Sequence, residues 1–142
     1  MYRHDYILKL IERFGAALIS LRDRILRRTR EETSVAAEIH EIARQAGLDL
    51  TVARQLEPAS LLMWLAPTGQ PDPAKLWLMA ELLYLEGFRA KGLGEERWRG
   101  DLERALAILI TLPPDWRPDE RLTAAGERAK EIRMLLGSSG EP

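Results

Sequence analysis

The chain has 142 residues, 46% of them hydrophobic and 30% charged, which suits a folded domain able to bury its own core rather than a disordered segment. It has no cysteine, so disulfides, thiolate metal sites and cysteine nucleophiles are excluded. Lys and Arg number 21 against 22 Asp and Glu, and no whole-chain field gathers nucleic acid or anionic lipid.

Leu, Ala, Arg and Glu dominate while Val, Thr, Tyr and Phe are scarce, a bias towards helix. The opening "MYRHDYILKLIERFG" carries charges among its apolar residues, unlike a signal peptide or a membrane span. No uncharged apolar run approaches the ~20 residues that cross a bilayer. A cytoplasmic protein without a membrane partner is expected.

In chain order, Asp5 is the expected N-cap of a first helix running to about Arg28. Ile7, Ile11, Phe14, Leu18, Leu21 and Ile25 alternate spacings of four and three along it, a heptad-like seam. The seam suits either a core face or self-association, and a homo-oligomer formed through these six residues is expected. "RDRILRRTR" follows; its arginines suit a helix C-terminus, and a phosphate-binding patch is the sharper alternative.

A second helix starts near Thr33 or Ser34 and stops at Gly47, burying Val35, Ile39, Ile42, Ala43 and Ala46. His40 has no second histidine in helical register, so it reads as solvated rather than metal-bound. Asp49 or Thr51 caps a short third helix, and Pro58 opens a fourth, "PASLLMWLAP". "PTGQPDP" is the internal hinge. Asp72-Pro73 then opens the most apolar helix, interrupted only by Lys75, Glu81, Glu86, Arg89 and Lys91. A helix apolar on most sides belongs at the centre of the domain. The next helix, about Glu95 to Leu112, carries the stripe Trp98, Leu102, Ala105, Leu109 and Leu112. The last, from near Pro118 to Gly137, carries Leu122, Ala125, Ala129, Ile132 and Leu136.

No useful length alternates with period two. The expected fold is all-α, a bundle of six or seven helices in one domain over residues 1–137, with N-terminal helices in 5–71, repeat-like helices in 72–137 and a tail at 138–142.

"EIARQAGLDLTVARQL" has the spacing of a helix-turn-helix, with Thr51, Arg54 and Gln55 as the residues that would contact nucleic acid. Asp49 and Glu57 leave the second helix slightly acidic, Pro58 cuts it short, and no lysine occurs between Asp23 and Pro73. Phosphate contacts supply most DNA affinity. A structural helix pair is the better reading, and DNA binding through residues 41–57 is the alternative.

Leu76 to Pro113 resembles a tetratricopeptide-type hairpin. Ala80, Leu83 and Gly87 match its small residue, large residue and turn glycine; Ala105-Leu106 matches the pair on the second helix, and Pro113 the closing proline. "AKGLGEE" lengthens the hairpin relative to that pattern. The opening Asp5, Tyr6, Ile7, Lys9, Ile11 and Glu12, followed downstream by "AELLYLEG", resembles a family of small bacterial helical proteins with tetratricopeptide-like helix pairs and no assigned function. That resemblance implies a fold and a general class, with no catalytic residues to carry over.

No phosphate loop, His-Glu-x-x-His or Gly-x-Ser-x-Gly occurs. Paired acids such as Glu31-Glu32 and Glu95-Glu96 are adjacent at helix starts and do not face each other. No catalytic residue, cofactor or metal ligand is expected. The expected function is a non-enzymatic helical scaffold or adaptor for protein partners, with Trp64, Trp98 and Trp116 as candidate anchors and Trp77 in the core.

Overall fold

The computed structural model describes residues 2–27, 32–69 and 71–137, with side chains from residue 6 in the first stretch and residue 34 in the second. Among these residues there are seven helices and no strand: α1 (Tyr2–Arg27), α2 (Glu32–Gln45), α3 (Leu50–Ala53), α4 (Pro58–Leu65), α5 (Pro73–Leu93), α6 (Trp98–Leu109) and α7 (Ala125–Gly137).

Local chemistry sets most of the boundaries. Asp49 caps α3 by accepting from the Val52 amide at 3.0 Å, and Asp72 caps α5 through the Ala74 amide at 3.0 Å. Pro58 and Pro73 occupy the first turns of α4 and α5, where a missing N–H costs nothing. Gly47 (φ 71°) and Gly94 (φ 75°) take left-handed conformations after α2 and α5. Each lets the next residue turn back, Leu48 N–H onto Ala43 O at 2.8 Å and Glu95 N–H onto Ala90 O at 2.9 Å.

Several expected boundaries differ, and α6 spans Trp98–Leu109 rather than about Glu95 to Leu112. Asp5 lies inside α1, which already starts at Tyr2, so it is not the N-cap. The last helix begins at Ala125, not near Pro118. The Asp119 carboxylate accepts from the Arg121 amide at 2.8 Å and its carbonyl from the Leu122 amide at 3.0 Å, a local turn that competes with helix there. The tail at 138–142 lies outside the described residues.

One hydrophobic cluster draws on all seven helices, from Ile7 to Ile132. α5 is its hub: α1, α2, α3 and α6 all pack on it, and Trp77, Leu82, Leu83 and Tyr84 are fully buried. α6 runs antiparallel along α5, Lys91 lying against the Trp98 ring and Gly87 against Leu102. It also carries α4 and α7. The irregular stretch between α6 and α7 is tied down by three bonds of 2.8–2.9 Å: Gly126 N–H to Pro114 O, Ala125 N–H to Trp116 O, and the Trp77 indole N–H to Thr123 O. Buried backbone groups are thereby satisfied without regular structure.

Candidate functional site

The first-helix seam faces inward. Ile7, Ile11, Leu18 and Leu21 are buried within the chain, and Phe14 and Ile25 pack on the edge of the same cluster. Among the described side chains of α1, the large apolar ones exposed to solvent are Tyr6, Ile19 and Leu26. Of the arginine run, Arg22 bonds Glu131 and the Tyr84 hydroxyl, and Arg24 bonds Glu38. Arg28 and Arg30 lie outside the described residues.

The helix-turn-helix stretch forms α2, a turn and the four residues of α3. Thr51 and Gln55 are exposed, but the Arg54 side chain is 20% exposed and held by Asp101 and Glu86. Gly87, matched in sequence to a turn glycine, sits inside α5; a Cβ there would stand 2.9 Å from Leu102 Cδ2. The turn falls at Gly94 instead. Trp77 is buried, Trp64 is exposed, and Trp98 and Trp116 pack partly on the core.

Two acids on α5, Glu81 and Glu86, organise buried charge on different faces of the helix. Arg128 from α7 bonds both Glu81 oxygens at 2.8 and 2.9 Å, and its guanidinium lies 4.1 Å from the centre of the Tyr84 ring. Glu131 accepts from Arg128, Arg22 and the Tyr84 hydroxyl. Burial alone would raise the Glu131 carboxyl; these donors outweigh it and hold it below its ordinary range. Burial pushes the Tyr84 phenol upward, so it stays a neutral donor.

Glu86 is completely buried. Its Oε1 lies 3.2 Å from Arg89, 3.4 Å from Arg97 and 3.7 Å from Arg54, and His40 Nε2 stands 3.5 Å from Oε2, which accepts no hydrogen bond. Asp101 on α6 accepts from Arg54 Nε and Nη2 at 3.0 and 3.2 Å and from Arg97 Nη1 at 3.3 Å. Burial is the largest influence on Asp101 and carries its carboxyl above the ordinary value despite Arg54. Half of the signal was present in the sequence: acids inside a helix apolar on most sides are expected to be buried, and buried acids need cations from neighbouring helices. Among the described residues, no three His, Cys, Asp or Glu side chains gather as a metal would need.

Two of the concave regions among the described residues exceed 500 Å³. The larger, about 790 Å³, opens where α1, the C-terminal end of α2 and the α4–α5 connection meet. Tyr6, Ile7, Ala46, Leu65, Ala66 and Pro67 give it apolar walls, and Thr68 and Lys75 lie at its polar margin. Tyr6 donates its hydroxyl to Gln45 O at 2.9 Å, which fixes the ring against the end of α2. A second cavity, about 530 Å³, lies between α3 with its following turn and the first half of α6, and includes Arg54, Arg97 and Arg104.

The described residues thus present an apolar groove with a polar margin, a cavity bearing guanidinium groups, and carboxylates occupied by arginines. No helix among the described residues is long and apolar enough to cross a membrane. Compared with known proteins, the chain matches no family model, no curated protein and no solved structure.

Proposed function

We propose that the chain is a non-enzymatic helical scaffold that binds a short apolar segment of a partner protein in the groove between α1, α2 and the α4–α5 connection. The observation that carries this reading is the groove itself. Its volume of about 790 Å³ lies within the usual range for binding pockets, about 300–1,000 Å³. Apolar walls with a polar margin are the anatomy of a protein-recognition site. Pro67, Pro71 and Pro73 line it and stiffen its wall, which reduces the entropy lost on binding. In this reading α5 and α6 serve as a tetratricopeptide-like pair, antiparallel with the small residue Gly87 at their contact, and the chain works in the cytoplasm. Of the α1 seam, Ile7 reaches the groove wall, while Ile11, Leu18 and Leu21 stay within the core.

The test is site-specific photo-crosslinking in the native cell from position 68, in the groove, and from position 103, on the exposed side of α6. The reading expects a protein adduct from position 68 alone. A peptide from the captured segment should bind the purified chain, and Ala66→Arg should weaken it at least tenfold with an unchanged unfolding midpoint. Equal adducts from both positions, or peptide binding indifferent to Ala66→Arg, would overturn it.

A further inference from the structure

Arg54, Arg97 and Arg104 line the second cavity together with Asp101 and Glu96. Glu86 and Glu95 also hold Arg54 and Arg97, which leaves Arg104 as the lining guanidinium without an ion pair among the described residues. The buried Asp101 is saturated by Arg54 and Arg97. Arg97 uses Nε on Glu95 and Nη1 on Glu86 and Asp101, and its Nη2 makes no hydrogen bond among the described residues. Arg104 donates Nε to the Leu56 carbonyl at 2.6 Å and lies within ion-pair distance of no carboxylate among the described residues. Its two terminal nitrogens make no hydrogen bond among the described residues, although its charge acts on Asp101. Gly100 makes room for them: a Cβ there would stand 2.7 Å from Arg104 Nη1. The Arg104 head thus occupies the space that a Cβ at position 100 would take.

We propose that this cavity is a binding site for a small phosphorylated polyol, of the sugar-phosphate class. A phosphoryl group accepts paired N–H donors in the fork geometry that a guanidinium presents. The unoccupied nitrogens of Arg97 and Arg104 supply such donors from two residues. The hydroxyl of Thr51 and the amide of Gln55 complete the lining with neutral groups suited to hydroxyls. No aromatic side chain lines the cavity, so a nucleobase finds no stacking platform there, and stacking is what sequence-tolerant single-strand binding relies on. At about 530 Å³ the space suits a small molecule. The exposed Glu96 is the one lining acid without an arginine partner, and it opposes the ligand's charge.

Calorimetric titration of the full-length protein with glucose 6-phosphate, glucose, inorganic phosphate and adenosine monophosphate tests the assignment. Glucose 6-phosphate should bind tighter than inorganic phosphate, glucose should give no heat, and the nucleotide should do no better than phosphate. Arg104→Gln should weaken glucose 6-phosphate at least tenfold, Arg104→Lys less, and Glu96→Gln should tighten it about threefold. Thermal unfolding of each variant separates loss of the site from loss of the fold. No heat from any phosphate compound at millimolar concentration, affinity unchanged in Arg104→Gln and Glu96→Gln, or tighter binding of the nucleotide would each overturn the proposal.

Discussion

Glu81 and Arg128 are the most enclosed charged pair among the described residues, their side chains 5% and 8% exposed. Taking two charges out of water is costly, and the pair is tolerated because the contact is bidentate and Thr123 and Glu131 occupy the remaining arginine donors. Removing one partner is therefore worse than removing both. Arg128→Ala should lower the unfolding free energy by about 3–5 kcal/mol, as expected for an uncompensated buried charge. The double change Glu81→Leu with Arg128→Met should recover most of that loss, and urea denaturation of the parent and the two variants checks both outcomes. Glu131 gives a pH signature. Its carboxyl lies below its ordinary value in the folded chain, so its contribution to stability is present above that value and is lost as pH falls through the depressed one. Asp101 is shifted the other way and opposes this slope, so the readout is the difference between variants. Between pH 7 and pH 3 the parent should lose more stability than Glu131→Gln; parallel curves would remove Glu131 from the account. These residues were only half legible in the sequence. Glu81 and Glu86 stood out as interruptions in an apolar helix, but Arg54, Asp101 and Arg128 look like any solvated charge until the helices are assembled.

At the scale of elements, the helices that carry their own punctuation were the readable ones. Asp49, Pro58, Asp72 and Pro73 start helices where local hydrogen bonding says they should, and Gly47 ends α2 through a left-handed residue. The stretch from Pro118 to Ala124 differs from the expected helix because the Asp119 turn competes with it locally and because the Trp77 indole and the backbone bonds from Ala125 and Gly126, which have no local signature, hold it. Gly87 was misassigned for a related reason. A glycine within a helix can mark a turn or a close crossing, and only the partner decides; here Leu102 and Asp101 press against its bare face. Gly87→Ala should accordingly destabilise by about 1–3 kcal/mol through overpacking, although alanine is the better helix former. Adding Leu102→Val to Gly87→Ala should recover part of the loss in thermal melts. A stabilised Gly87→Ala would show that the two helices have room to spare.

For the whole molecule, periodicity and composition were enough to read an all-α fold with the "AKLWLMAELLYLEG" helix at its centre, because the burial of α5 is written as apolar residues on most sides. The groove and the arginine-lined cavity were not readable, since each is assembled from segments far apart in the chain: Tyr6, Ala46 and Ala66 for one, Thr51, Arg97 and Arg104 for the other. Both depend on α5 holding the N-terminal helices and the α6–α7 pair in one cooperative body. Native-state hydrogen exchange tests this most directly. The account predicts that amides from Leu78 to Tyr84 exchange only through global unfolding, with an opening free energy equal to that from denaturant melts, while α3 and α4 open at lower free energy. Exchange of the α5 amides through openings well below the global value, or separate plateaus for α1–α4 and α5–α7, would contradict it.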